Sequence, residues 1–156
     1  MSKRVVLKGH SGAQYKEAIA ETALRPGHIL ELDASTQKAQ KQALARGPLA
    51  VAIENHWFGG GLDDLYAIDD RVCYQVLQSG AEFQGLVGVS AAAIANGALV
   101  MVDTANPGCV ISCAQAGVVG ASESAFNRDR AIGVARAAVD NSANAATEVR
   151  IRIEVL

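Results

Sequence analysis

The densest group of residues that could do chemistry is an acidic segment, WFGGGLDDLYAIDD, at residues 57–70. Asp63, Asp64, Asp69 and Asp70 fall within eight residues and could coordinate a hard cation. The ligand order of a calcium loop, with acids at alternate positions and a distal Glu, is absent. The three glycines also lack the Lys-Ser/Thr that follows a phosphate-binding loop. We therefore interpret the segment as a loop between two strands, with the aspartates as turn formers.

A second motif, GHSGA at residues 9–13, resembles the strand–Ser–turn arrangement of a hydrolase nucleophile. That arrangement needs Gly where this chain has Ala13, and it needs a central sheet that the few preceding residues cannot build. The three histidines, His10, His28 and His56, are too far apart for a zinc motif. We therefore expect a protein that is not an enzyme and that binds no metal or other cofactor.

The cysteines predict free thiols and no disulfide framework. There are three, an odd number, and in a strand Cys109 and Cys113 would stand about 13 Å apart. Buried reduced thiols are typical of a reducing compartment.

The charge is divided unevenly along the chain, although the net charge is only −2. Residues 1–50 carry eight basic and four acidic side chains, whereas residues 51–156 carry six basic and twelve acidic ones. The overall balance is acidic, and basic residues do not alternate with aromatic ones. We therefore do not expect nucleic acid as a partner.

One apolar stretch, LVGVSAAAIANGALVMV at residues 86–102, could be mistaken for a membrane span. It is slightly short, it contains Ser90 and Asn96, and its Asn96-Gly97 pair favours a turn. The N-terminal residues lack the apolar run of a secretion signal. These features predict strand–turn–strand here, and a soluble protein that is made in the cytoplasm and has no membrane partner.

Alternating apolar and charged residues predict strands, most clearly in EVRIRIEVL at residues 148–156. Further strands, each bounded by Gly, Pro or Asn, are predicted at residues 28–33, 49–54, 71–77, 98–103 and 109–112. In the third of these, Val72, Tyr74 and Val76 should share a face. Residues 35–45 and 131–140 suit either a strand or a short helix.

These elements predict the fold class. A chain of 156 residues, half of them hydrophobic, fits one domain. Short strands without recurring amphipathic helices are typical of a mainly β protein, a small antiparallel β-barrel or β-sandwich. Residues 1–20 match none of these units, and we expect them to form an extended arm on a single β-rich domain at residues 21–156.

The order of segments resembles that of the small decoration, or cement, proteins of tailed-bacteriophage heads. In that family a Pro-Gly pair precedes the first core strand, an A-x-E strand leads to a Gly-rich turn, and a Tyr-rich acidic segment opens a further strand. An Ile-x-x-Gly-x-x-Leu unit, a Gly-x-Ala strand and a Val-Asp turn then lead to a basic C-terminal strand. The matching positions here, within about residues 22–156, are Pro26-Gly27, Ala52-Ile53-Glu54, Asp69-Asp70 (usually Gly-Asp in the family), Ile94, Gly97, Leu99 or Val100, Gly133-Val134-Ala135, Val139-Asp140 and RIRIEVL.

The resemblance implies a β-tulip-like barrel or sandwich that binds the outer surface of the expanded capsid. Such proteins are often homotrimers at three-fold and quasi-three-fold positions, with the major capsid protein as partner, and their N-terminal arms reach onto the shell. On this basis the expected capsid-contact residues of the arm are Ser2, Lys3, Arg4, Val5, Val6 and Lys8.

Two alternatives remain open at this point. The first is a virion-surface adhesion or carbohydrate-binding module on the same scaffold, with Trp57, Phe58 and Tyr66 as an exposed aromatic patch. The second, less favoured, is a small metal-dependent enzyme that uses the acidic loop. In either case the loop should be exposed at the surface, and its candidate residues are Trp57, Phe58, Asp63, Asp64 and Tyr66.

Overall fold

A computed structural model describes residues 4–9, 14–44, 47–55, 59–113 and 130–156. These ranges contain strands and no α-helix, so the expected mainly β fold class is confirmed. None of the described segments forms a helix long and apolar enough to cross a membrane. In chain order the strands are β1 (Val6–Lys8), β2 (Tyr15–Ile19), β3 (Ile29–Leu32), β4 (Ala39–Lys41), β5 (Ala50–Ala52), β6 (Arg71–Val76), β7 (Glu82–Val87), β8 (Leu99–Val102), β9 (Val110–Ser112), β10 (Gly133–Ala135) and β11 (Val149–Val155).

Five strands close into a small barrel, one of the two architectures that the sequence predicts. Their order is β7-β11-β10-β8-β9, and β9 returns to β7 through a parallel pairing of Val110 with Val87. The other neighbours in the barrel are antiparallel. The longest seam joins β11 to β7, from Val149 opposite Val87 to Glu154 opposite Glu82. Strand β1 extends the sheet from the edge of β7.

The remaining strands form a second, five-stranded antiparallel sheet in the order β2-β6-β5-β3-β4. This sheet curls until its two outer strands meet. Ala20, just after β2, forms a parallel bridge with Ala39 of β4. The N–H of Glu21 donates to the Ala39 carbonyl at 2.8 Å. We call this unit the curled sheet.

Strand β6 is buried on both of its faces. Successive side chains of a strand point to opposite sides, so the two sets meet different neighbours. Val72, Tyr74 and Val76 share one face, as predicted, and pack into the smaller hydrophobic cluster. Cys73 packs into the larger cluster, whose bulkiest fully buried side chain is Phe83 of the barrel. Strand β6 thus connects the interior of the curled sheet to the main core.

The predicted C-terminal strand is confirmed as β11, in which Ile151 and Ile153 are buried and Arg152 is exposed. The upstream strand predictions correspond to β3, β5, β6, β8 and β9. The turn predicted at Asn96-Gly97 is also present, and Gly97 has a φ of 84°.

The two ambiguous segments contain strands, β4 in the first and β10 in the second. Before β4, the Asp33 carboxylate accepts hydrogen bonds from the N–H groups of Ser35 and Thr36, both at 2.8 Å. Gln37 then adopts a φ of 56°. A side chain that bonds its own backbone in this way competes with helix formation, which explains the turn.

The described parts of residues 1–20 belong to the two sheets, which corrects the expected arm. Val5 is fully buried in the main core, and its N–H donates to a Glu54 carboxylate oxygen at 3.0 Å. Val6 pairs with Phe83, while β2 pairs along its length with β6. The reason is physical: an apolar pair such as Val5-Val6 gains more by leaving water than by extending into it. Val5 is therefore a core residue, and its burial does not fit the exposed contact role that was expected of it.

Of the other predicted arm residues, Arg4 and Lys8 are exposed and Val6 is partly buried. Ser2 and Lys3 lie outside the described residues, as do His10 and the Ser and Ala13 of the GHSGA motif.

Close packing of the barrel seams gives a stability prediction. A Cβ on Gly133 of β10 would stand 2.5 Å from the Glu154 carbonyl oxygen and from Ile153 Cγ2. Gly133→Ala should therefore lower the free energy of unfolding by about 1–3 kcal/mol, because backbone and a branched side chain must move. Chemical denaturation measures this. Gly61→Ala is the control, since only an Asp64 oxygen at 3.8 Å lies near its Cβ position, and a similar loss in both variants would contradict the argument.

Candidate functional site

The main candidate site is built around the turn Arg25–His28, which leads into β3. Gly27 adopts a φ of 101°, a left-handed conformation that favours glycine. A Cβ at this position would lie 2.8 Å from both Arg150 Nη1 and the main-chain oxygen of Gln84. The turn is therefore packed directly against β11 and β7 of the barrel.

Arg150 of β11 connects this turn to the acidic loop. Its Nη1 donates to the Pro26 carbonyl at 2.8 Å, and its Nη2 donates to the Leu62 carbonyl. The same Nη2 lies 3.4 Å from Asp63 Oδ1. The side chain is only 15% exposed, whereas that of Asp63 is 93% exposed. The two carbonyl bonds therefore hold Arg150 in place, and the ion pair contributes little because its carboxylate faces water.

A buried polar cluster lies beside the turn, formed by His28, Cys109 and Glu148. Their ligand-type atoms all lie within 4.8 Å of one another. His28 is 1% exposed, and its Nε2 is 3.1 Å from Glu148 Oε1. Cys109 Sγ lies 3.6 Å from the same oxygen. The three residues come from three separate places in the chain, each immediately before β3, β9 or β11.

The hydrogen bonds of His28 assign its tautomer. The backbone N–H of Arg25 donates to Nδ1 at 2.8 Å, so Nδ1 carries the lone pair. The proton of the neutral ring is therefore on Nε2 and is donated to Glu148. Both ring nitrogens have partners.

Burial controls the protonation states of this cluster. It lowers the pKa of His28, and Lys41 and Arg25 act in the same direction, although the bond to Glu148 opposes them. The bond from His28 lowers the pKa of Glu148 to about 2. Burial, followed by the Glu148 charge, raises the pKa of Cys109. At neutral pH the cluster is therefore a neutral imidazole, a carboxylate and a thiol.

His, Cys and Glu are all common metal ligands, so the fit of the cluster to a transition metal has to be tested. A neutral imidazole that binds a metal through Nε2 must carry its proton on Nδ1 and donate it to a carbonyl, carboxylate or water. In this structure Nδ1 faces a donor, the N–H of Arg25. A metal on Nε2 would move the ring proton to Nδ1, where it would face the N–H of Arg25. The surroundings of His28 therefore do not fit a metal ligand.

The cluster does not fit nucleophilic catalysis by cysteine either. A catalytic thiol needs a base to accept its proton and a lowered pKa. Here the pKa of Cys109 is raised, and both nitrogens of His28 are engaged elsewhere. The geometry instead suits a structural junction, in which one carboxylate accepts hydrogen bonds from a ring N–H and a thiol.

A groove of about 610 Å³ opens beside Glu148, between the curled sheet and the loop that precedes β9. The charged side chains along it are those of Glu31, Lys41 and Glu148. Its other lining residues are Thr22, Ala23, Gln40, Ala43, Ala105, Asn106 and Pro107.

Comparison with models of protein families found no match, and comparison with curated proteins found none either. Interpretation of the site therefore rests on its own geometry.

The four aspartates of the acidic loop each have a different hydrogen-bond donor. Asp64 accepts from the N–H of Gly61 and Asp70 from the N–H of Ala67, both at 2.7 Å. Asp69 accepts from Lys38 Nζ, also at 2.7 Å, and Asp63 pairs with Arg150. The contacts of Asp64 and Asp70 are those of turn-forming residues, the role that the sequence analysis gave them.

The loop residues that the sequence predicts to be exposed differ in their burial. Asp63 and Asp64 are exposed, but Tyr66 is 7% exposed, and its hydroxyl donates to the Ile53 carbonyl at 2.6 Å. The prediction of an exposed Tyr66 is therefore wrong: the ring is in the core of the curled sheet, and its hydroxyl finds a partner there. Trp57 and Phe58 lie outside the described residues.

His28 and Glu148 stand 120 residues apart, so their positions in the sequence do not by themselves link them. One local signal was available. His28 follows Pro26-Gly27 and Cys109 follows Pro107-Gly108, so each stands at the same position between a Pro-Gly turn and a strand. Recognising that these two positions and the start of β11 meet requires the pairing of the strands.

The role of Arg150 can be tested by its removal. Arg150→Met should lower the free energy of unfolding by about 2–4 kcal/mol, because the Pro26 and Leu62 carbonyls lose a charged donor. Arg152→Met is the matched control on the same strand, with a half-exposed guanidinium paired to Glu82, and should cost less than about 1 kcal/mol. Equal losses in urea denaturation would contradict a special role for Arg150.

Proposed function

We propose that the protein is a capsid decoration protein of a tailed bacteriophage. In this proposal it binds the outer surface of the expanded head as a homotrimer at three-fold and quasi-three-fold positions, with the major capsid protein as partner. The resemblance over about residues 22–156 supports this, and so does the small β-barrel, which is the architecture that the resemblance implies.

The observation that carries the proposal is the distribution of exposed apolar side chains. Six of the seven large apolar side chains that are exposed in the described part lie between residues 15 and 68. Exposed apolar groups that lie side by side favour protein contact, and the backbone bonds of Ala20 with Asp69 and Asp70 place the end of β2 next to the loop that carries two of the six. The six are Tyr15, Ile19, Leu32, Leu44, Leu65 and Ile68.

In this proposal the contact surface is the curled sheet and its acidic loop, instead of the expected contact residues 2–8. Tyr15 and Ile19 lie on β2, and Leu65 and Ile68 lie in the acidic loop. Backbone bonds bring the loop to β2: the N–H of Ala20 donates to the Asp70 carbonyl at 2.8 Å. We call these four side chains the contact set.

A protein that only holds neighbours together needs no catalytic group. In the described part, His28 and Glu148 bond each other, and Asp64 and Asp70 accept from backbone N–H groups. Each copy can bind weakly, since many sites on one shell add up.

The two alternatives lose support from particular contacts. An aromatic adhesion patch would have to form without Tyr66, which is buried. A metal enzyme that uses the acidic loop would have to free Asp64 and Asp70 from the turns that they cap.

The contact set gives a binding prediction. Leu65→Ser with Ile68→Ser should weaken binding to expanded heads that lack the protein by roughly thirtyfold, which corresponds to about 2 kcal/mol of lost apolar burial. The measurement is co-sedimentation across a concentration series. The unsubstituted protein should have a solution mass three times that of the 16.2 kDa chain.

Leu156→Ser is the control, since Leu156 is 56% exposed but belongs to the barrel end of the molecule. Equal binding by the double variant and the control would overturn the contact set. Failure of the unsubstituted protein to bind heads would overturn the proposed function, and a monomeric mass would overturn the trimer.

A further inference from the structure

His28 is held by a donor at one ring nitrogen and an acceptor at the other. Arg25 N–H donates to Nδ1 at 2.8 Å, and Nε2 donates to Glu148 at 3.1 Å. The only site at which this ring can accept a further proton is Nδ1, because Nε2 already carries one. That proton would point at the N–H of Arg25.

We propose that His28 is an acid-sensitive latch between the curled sheet and the barrel: a proton on Nδ1 breaks the bond from Arg25 and releases the Arg25–His28 turn from β11. This proposal stands on the direction of one hydrogen bond and is independent of the proposed function.

The charged groups around His28 set the direction of its titration. Glu148, immediately before β11, favours the protonated ring, whereas Lys41 of β4 and Arg25 of the turn oppose it. Cys109, before β9, contacts the ring's carboxylate partner as a neutral thiol. Burial is the largest influence, and the pKa of His28 is lowered from its ordinary 6.5.

The release should extend beyond the turn. Arg150 holds the Pro26 carbonyl with one nitrogen and the Leu62 carbonyl with another. When the turn moves, Arg150 loses its bond to the Pro26 carbonyl. That bond helps to position the guanidinium, so its bond to Leu62 in the acidic loop should weaken as well. Leu65 and Ile68, half of the contact set, lie in that loop. Acid should therefore loosen the turn and the loop before it unfolds the barrel.

A lowered pKa means that the unfolded chain binds a proton that the folded protein does not. The equilibrium constant for folding should then fall as the pH drops below 6.5, by at most roughly tenfold per pH unit for one proton, and level off below the folded pKa of His28. Glu148 acts in a separate window. Its pKa falls from 4.5 to about 2 on folding, so its contribution is lost between those values as the pH drops.

The decisive experiment follows His28 in the unsubstituted protein by NMR. Long-range ¹H–¹⁵N spectra should show the Nε2–H tautomer at pH 8 and a titration midpoint below 6.5. Amide hydrogen exchange at Arg25, corrected for the intrinsic pH dependence, should accelerate with the same midpoint. An Nδ1–H tautomer, a midpoint at or above 6.5, or an Arg25 amide that stays protected through the titration would each overturn the latch.

A variant without the titrating ring tests the same point, and a matched control keeps that ring. In His28→Asn the side-chain oxygen can still accept from Arg25 N–H, so the loss of stability between pH 6.5 and 5 should disappear. Replacement of His10 and His56 by Gln is the control and should leave that loss in place. If the control abolishes the loss, or if His28→Asn retains it, another group is responsible and the latch is refuted.

Discussion

The structure depends on hydrogen-bond partners for the backbone N–H and carbonyl groups at the point where the chain passes between its two sheets. The Arg25–His28 turn is enclosed by β5, β7 and β11, so its N–H and carbonyl groups need partners other than bulk water. The N–H of Gly27 donates to the Ala52 carbonyl at 2.8 Å, and the N–H of Ile29 donates to the Gly108 carbonyl at 2.8 Å. Arg150 supplies the donor for the Pro26 carbonyl. Partners from three distant parts of the chain thus converge on residues 25–29.

This constraint explains why the cluster next to the turn is polar although it is buried. His28 is needed as an acceptor for Arg25 N–H, and the ring proton left on its other nitrogen then requires an acceptor of its own. Glu148 supplies that acceptor and takes the Cys109 thiol as well. A buried network of this kind stabilises a structure only when its members have partners, and here both ring nitrogens of His28, the Cys109 thiol and Glu148 Oε1 are hydrogen-bonded.

The parts of the fold that were predictable from the sequence were those fixed by local patterns. The strand β11 is predictable because apolar and charged residues alternate along it. The turn at Asn96-Gly97 is predictable because a glycine readily adopts the left-handed conformation that the turn needs. The prediction of an extended arm was wrong because the burial of these residues depends on distant parts of the chain. Whether Val5 is buried depends on Glu54 and Gln84, which its own neighbourhood does not reveal.

The candidate site shows the same division. The turn-forming role of Asp64 and Asp70 was predictable, since each bonds a backbone N–H three residues away. The burial of Tyr66 was not, because its partner Ile53 belongs to the chain segment after β5. The meeting of His28 with Glu148 depends on pairing between two sheets, which no local pattern encodes.

The separation of His28 from Glu148 by 120 residues has a consequence for synthesis. The strands of the curled sheet come from residues 15–76, so they can pair while the ribosome is still translating the barrel. The carboxylate that completes the His28 network is translated 120 residues after His28. Until β11 docks, the His28 ring lacks its acceptor Glu148, and the Pro26 carbonyl lacks its donor Arg150. The pairing of β11 therefore completes both sets of hydrogen bonds late in folding.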